Sequence, residues 1–106
     1  MKLNKNNKKI IKNNKKSIEL NKAYLRNAYL SEAILRGTDL TNADLGGANL
    51  SFCDFRNADL TNADLTDADL SFADLNDAVI TGAKLTGAKL EGHDLEDLKS
   101  RGAIFD

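Results

Sequence analysis

The sequence predicts an all-β solenoid, a chain wound into four-sided coils, on three observations. A large apolar residue returns every five residues from Leu20 to Phe105; Phe55 and Ile80 substitute for Leu, and only Ser100 breaks the series. Ala stands two residues before 13 of these 18 positions, the exceptions being Ile18, Thr38, Cys53, His93 and Leu98. Departures from the pattern recur four pentads apart: Phe52 with Phe72, Arg36 with Arg56, Ser31 with Ser51 and Ser71, Thr41 with Thr61 and Thr81.

A period of five suits neither regular element. On an α-helix, at about 100° per residue, the leucines would wind around the axis by roughly 140° each. On a flat strand an odd spacing sends alternate leucines to opposite faces. Within each pentad, however, Ala and Leu flank one polar residue, which is the in–out–in pattern of a short extended piece. The other two residues must turn the chain so that the next Leu again points inward. The recurrence of exceptions sets four pentads per coil, with bends of about 90° and residue n beneath residue n+20.

The bends carry the residues such turns need. The second residue after each Leu-type centre, from Lys22 to Gly102, is Gly, Asn or Asp at 13 of 17 positions, the types that tolerate φ > 0. Glu32, Phe52 and Phe72 fall in one column with Gly92, which predicts a different turn type at that corner. Pro is absent, as expected where stacked coils need every backbone N–H.

The run from Ala43-Asp44-Leu45 through Asp74-Leu75, with Thr41 to Leu45 repeated identically at Thr61 to Leu65, resembles the pentapeptide-repeat family and its A(D/N)LXX repeat. The resemblance covers about five-sixths of the chain. It implies a right-handed quadrilateral β-helix, with the Leu-type centre and the residue two before it pointing inward. About four and a half coils at ~4.8 Å each give a rod of roughly 20 Å.

One domain is expected at this length, divided into a leader, 1–17, and the repeat region, 18–106. Residues 1–16 hold seven Lys, five Asn and no acid, whereas the remainder holds 16 acids against eight bases, a net of −8. The leader has no apolar run long enough for a signal peptide or a membrane span. It reads as disordered or as a short helical cap, drawn loosely by its charge to the acidic columns around Asp39, Asp59, Asp44 and Asp64. A cytoplasmic location follows from this reading.

In the first coil Tyr24, Tyr29 and Ile34 stand where later coils have Asp or Asn. They are expected to serve as a cap or an interface, because terminal repeats must shield an open end. The middle coils stack Asp39 over Asp59, Asp44 over Asp64 and Asp54 over Asp74, carboxylates supported by hydrogen bonds to turn backbone. Phe52 and Phe72 form an exposed aromatic pair. Arg36 and Arg56 stack on another edge. Cys53 takes an inward Ala position and reads as a small buried hydrophobe.

The last coil exchanges Asp for Lys84, Lys89 and Lys99. His93 takes an inward position, and Leu98 with Ser100 inverts the small/large order. No cap is evident above Leu85, Leu90, Leu95 and Phe105, so end-to-end pairing with a second copy is expected.

Catalysis has little to stand on. The one His points inward, and Cys53 and His93, although in one column, lie two coils or roughly 10 Å apart. No set of converging metal ligands and no phosphate-cradling glycine loop is present, so no catalytic residue, cofactor or metal is assigned. The expected function is non-enzymatic: a protein-binding or structural solenoid whose partner surface comprises Phe52, Phe72 and the Asp columns at 39, 59, 44, 64, 54 and 74. The rod itself is not expected to bind nucleic acid. The resemblance implies one alternative, mimicry of duplex DNA toward a topoisomerase or other DNA-binding protein. A net −8 over ~20 Å is about one charge per ~2.5 Å, against one per ~1.7 Å for DNA. Lys84, Lys89, Lys99 and Arg101 interrupt that surface.

Overall fold

The computed structural model describes residues 19–106. The expectations for the leader, 1–17, and for Ile18 therefore lie outside the described residues.

Coils stack in parallel with the n to n+20 register that the pattern requires. Four columns of parallel β-bridges run through the described residues, and each names one side. Side 1 links Glu19, Asp39, Asp59 and Val79; side 2 links Tyr24, Asp44, Asp64, Lys84 and Ile104. Side 3 links Tyr29, Asn49, Asp69 and Lys89; side 4 links Ile34, Asp54 and Asp74. Each bridge residue points outward between an inward small residue and an inward large one. From Leu20 to Leu70 the large residue of each pentad donates its N–H upward to a carbonyl of the next coil, as in Leu25 to Asp44 (2.7 Å) and Leu45 to Asp64 (2.8 Å). The bridge residue donates downward to a carbonyl of the coil below, as in Asp64 to Ala43 (2.9 Å). Leu25 through Leu70, the Ala positions between them, Cys53 and Phe55 form one buried core.

Every corner uses the left-handed conformation. Positive φ occurs at all positions of the corner series from Lys22 to Gly92 and again at Gly102, including Glu32 (66°), Phe52 (59°) and Phe72 (59°). The different turn expected at the Phe corner is therefore not found. The inter-coil bonds there, Phe52 N–H to Ser71 O and Phe72 N–H to Glu91 O, are the same as at other corners, and the stacked ladder overrides the preference of the side chain.

The inward column at 33, 53, 73 and 93 holds two polar substitutions in one geometry. Cys53 Sγ–H donates to Leu30 O (2.8 Å), and His93 Nε2–H donates to Leu70 O (2.8 Å). Each reaches the corresponding carbonyl of the coil beneath it. Thr38 occupies the equivalent position on the next column and is buried, with a hydroxyl that has no partner.

The last coil departs from the pattern. Leu95–Ser100 forms a helix, α1, where the register predicts a coil side with Leu95 inward. Leu95 is 47% exposed and Leu98 is 1% exposed. In a regular coil Leu98 would overfill an Ala position and Ser100 would underfill a Leu position. The helix avoids both faults by rotating Leu98 over the core. Asp94 caps it, accepting from Glu96 N–H and Asp97 N–H, with acids in the first turn and Lys99 in the last, all favourable to the helix dipole. The end is thus not uncapped: α1 covers part of the last layer, and Lys99 Nζ lies 5.7 Å from the centre of the Phe105 ring. The ladder then resumes, with Gly82 N–H meeting Gly102 O and Leu85 N–H meeting Ile104 O.

Slot size provides a test. Ala63 is fully buried, so Ala63→Leu should overfill its layer and cost about 1–3 kcal/mol. Lys89→Leu, on the outer surface with an ordinary φ, should stay within about 0.5 kcal/mol. Denaturant midpoints of the two variants read the difference.

Candidate functional site

The sequence-predicted surface residues fall on different sides. Tyr24, Tyr29 and Ile34 point outward on sides 2, 3 and 4 of the first coil and each begins its own bridge column. They do not form one patch. The Asp pairs 39/59, 44/64 and 54/74 are stacked as expected, on sides 1, 2 and 4.

These carboxylates are engaged rather than merely solvated. Each accepts the backbone N–H two residues on: Thr41 to Asp39 (3.0 Å), Gly46 to Asp44 (3.1 Å), Arg56 to Asp54 (3.1 Å), Thr61 to Asp59 (3.0 Å), Thr66 to Asp64 (3.0 Å) and Asn76 to Asp74 (3.0 Å). The bond fixes the side chain over the corner and supplies an acceptor that the turn lacks. The backbone N–H of Thr41 holds the Asp39 carboxyl below its usual range, and the Thr41 hydroxyl adds to the effect. Ser71 does the same for Asp69, backbone first, and Thr66 for Asp64, side chain first.

Three arginines tie the columns together. Arg26 Nη2 lies 3.2 Å from Asp44 and 3.7 Å from Asp64. Its guanidinium passes over Gly46, where an added Cβ would meet Nη1 at 2.6 Å. Arg36 Nη2 (2.7 Å) and Arg56 Nη2 (2.9 Å) both grip Asp54, and Arg56 Nε reaches toward Asp74 at 3.7 Å. Arg36 and Arg56, expected on a separate edge, therefore flank the side 4 carboxylates. The Arg56 hydrogen bond, with Arg36 behind it, holds the Asp54 carboxyl far below the usual range despite partial burial.

Phe52 and Phe72 meet as expected. Their ring centres are 5.2 Å apart with planes 22° from parallel, and they remain 59% and 53% exposed. Stacking contributes about 0.5–1.5 kcal/mol, while a bulky residue at positive φ costs on the order of 1–3 kcal/mol. One stacking contact does not offset two strained corners. The ridge ends under bare backbone: a Cβ at Gly92 would stand 2.9 Å from Phe72 Cδ1.

Above this ridge the structure holds a cleft of about 450 Å³, between Phe72–Asn76 and the turn into α1, lined also by His93, Asp94, Asp97 and Arg101. It exists because α1 leaves the coil path. Arg101 partly fills the gap: Nη2 donates to Leu75 O (2.6 Å) and Ala78 O (2.8 Å), and Nη1 to Asp97 Oδ2 (3.1 Å). The N–H groups of Leu75, Asp77 and Ile80, whose counterparts on lower coils donate upward, have no backbone acceptor among the described residues. Of this lining, sequence reading had named Phe72 and Asp74 as partner surface, but it foresaw no cleft. Among the described residues no group of three His, Cys, Asp or Glu side chains is set to hold a metal ion, and no helix is long and apolar enough to cross a membrane.

Comparison with known proteins places these features in a family context. The sequence profile described as pentapeptide repeats matches residues 18–57, 43–82 and 63–97, with 8 copies. A pentapeptide repeat protein from the Arabidopsis thaliana thylakoid lumen superposes with a TM-score of 0.69 at 29% identity, over 84% of this chain and 55% of that one. HetL, a pentapeptide repeat protein involved in heterocyst differentiation regulation from the cyanobacterium Nostoc sp. strain PCC 7120, gives a TM-score of 0.68 at 37% identity, over 81% of this chain and 35% of that one. The chain thus spans about half the length of the first protein and about a third of the second. No curated protein sequence matches this chain.

Acid titration tests the Arg–Asp54 cluster. A carboxylate whose folded pKa is depressed stabilises the fold above its ordinary value of 3.8; that contribution drains away as pH falls further toward the folded value. Asp54→Asn should lower the denaturation midpoint at pH 7. Its deficit relative to wild type should shrink from about pH 4 downward.

Proposed function

The chain belongs to the pentapeptide-repeat family, and from that premise we propose that it is a non-enzymatic protein-binding module whose contact point is the Phe52–Phe72 ridge. The observation that carries this reading is an exposed, mutually stacked aromatic pair at corners where Gly, Asn or Asp would be less strained. Rigid aromatic side chains bury large areas at low ordering cost and dominate interface energetics.

The scaffold in this reading is a right-handed quadrilateral β-helix of about four and a half coils spanning 18–106, preceded by the leader 1–17. The n to n+20 bridge register and the two structural neighbours support it. Its repeating inter-coil bonds hold surface columns fixed before any partner arrives. We place the protein in the cytoplasm on the sequence reading alone, the Arabidopsis neighbour being from the thylakoid lumen. An end-to-end homodimer would meet at the last layer, part of which α1 covers through Leu98.

DNA mimicry is the alternative, and the stacked Asp columns favour it. Arg26, Arg36 and Arg56 weigh against it by engaging four of those carboxylates.

Phe52→Asn/Phe72→Asn tests the proposal while preserving the corner, because Asn suits positive φ. Proteins from the source cells retained by the wild-type chain should be released by this variant, and a purified partner should lose at least about tenfold in affinity. Undiminished affinity would remove the ridge from the interface. Loss instead on replacing Asp39, Asp59, Asp44 and Asp64 by Asn would favour the DNA-mimic alternative.

A further inference from the structure

The cleft above Phe72 is incomplete in a specific chemical sense. One coil lower, three backbone groups of side 4 face upward and all are matched. Cys53 O accepts from Asp74 N–H, Phe55 N–H donates to Asp74 O, and Asn57 N–H donates to Asn76 O. The same three groups one coil higher are Ala73 O, Leu75 N–H and Asp77 N–H, and none has a hydrogen bond among the described residues. The cause is α1. The chain follows the ladder as far as Glu91 O, which takes Phe72 N–H, and leaves it at Asp94, the helix cap. On side 1, Arg101 Nη2 takes Ala78 O and Leu98 is buried over the core. The cleft therefore opens on side 4. Ala73 and Leu75 line it and are 7% and 6% exposed, against 1% and 0% for Cys53 and Phe55 beneath them. An extended segment that brings its own backbone groups fits such an edge.

We propose that the cleft receives the free N-terminus of an extended peptide belonging to a partner protein. The unmatched groups engage its first three residues. The terminal amine donates to Ala73 O, the first carbonyl accepts from Leu75 N–H, and the third carbonyl accepts from Asp77 N–H, in the parallel register of the coil beneath. The second side chain then points inward over Leu75, where only a small apolar group fits because Leu75 is already largely covered. A chain end is required, since the protein's own backbone fills the ladder up to His93 and a strand running through would meet it. Charge decides which end. Asp74 is held by Asn76 N–H and lies near Arg56, and Asp97 is paired with Arg101. Asp94, however, caps α1 through Oδ1 alone, and its Oδ2 has no partner among the described residues. One ammonium matches that one carboxylate oxygen, whereas a C-terminal carboxylate would be repelled by it. This site does not require the Phe52–Phe72 ridge to bind anything.

Amide chemical shifts of the full-length chain, titrated with the tripeptide amide Ser-Ala-Ser and separately with its N-acetylated form, test this. The titration is run at about pH 6.5, below the ordinary α-amine pKa of about 7.7–8.0, so that the free amine is charged. The free peptide should shift the Leu75 and Asp77 amides saturably and leave Phe55 and Asn57, their matched counterparts, in place. The acetylated form should bind at least about tenfold more weakly, because it lacks the ammonium. Asp94→Asn keeps the Oδ1 cap and removes the charge. It should weaken the free peptide by a similar factor and leave the acetylated form unaffected, with the Leu98 and Arg101 amides reporting that α1 persists. Equal affinity for the free and acetylated peptides, or equal affinity of wild type and Asp94→Asn for the free peptide, would overturn the proposal. So would shifts centred elsewhere on the chain, or no saturable shift at Leu75 and Asp77.

Discussion

The structure depends on one hydrogen bond repeated: from Leu20 to Leu70 the N–H of the large inward residue donates to a carbonyl of the coil above. That bond sets the vertical spacing and holds residue n under residue n+20. It also closes a coil in which only two residues per pentad face inward. The core is consequently narrow and its positions are unequal, one sized for Leu and one for Ala. Where the sequence supplies the wrong sizes, at Leu98 and Ser100, the ladder yields and α1 forms. The cleft, the unmatched donors of Leu75, Asp77 and Ile80, and the Arg101 bridge to two carbonyls all follow from that single failure.

The corners are the second consequence of a closed coil. A right-angled turn every five residues needs one residue at positive φ, and the ladder imposes it on Lys22, Glu32, Phe52 and Phe72 as firmly as on Gly37. The neighbouring carboxylates help by accepting the N–H two residues on, so the Asp columns are structural parts of the turns before they are a charged surface. Asp54, gripped by two arginines from successive coils, joins the two roles most tightly.

Much of this was legible in the sequence because the repeat converts one-dimensional spacing into three-dimensional adjacency. The pairing of Phe52 with Phe72, the stacked Asp pairs and the inward positions of Cys53 and His93 needed only the period of five and the four-pentad coil. The Arg–Asp54 cluster was within reach by the same arithmetic: Arg36 lies beneath Arg56, and Arg56 is two residues from Asp54. It was missed because surface columns were read one at a time. The αL conformation at Phe52 and Phe72 contradicts local preference, which loses to the ladder. Helix α1 had a signal in Asp94-Leu95-Glu96-Asp97-Leu98-Lys99, a capped run with its charges ordered along the helix dipole. The strong four-pentad register masked it. The cleft itself had no signal, because it arises from the space between a regular coil side and the helix that departs from the coil path.

Amide hydrogen exchange tests the central claim most directly. If the inter-coil bond governs the fold, the N–H groups of Leu40, Leu45, Leu50, Leu60, Leu65 and Leu70 should exchange slowest and together. On sides 4 and 1, where α1 departs, Leu75, Asp77 and Ile80 should exchange faster by orders of magnitude, and Leu85, whose acceptor returns at Ile104, should be protected again. Equal protection at Leu75, Ile80 and Leu70 would contradict the account, because it would mean that a regular coil continues where the structure places a helix.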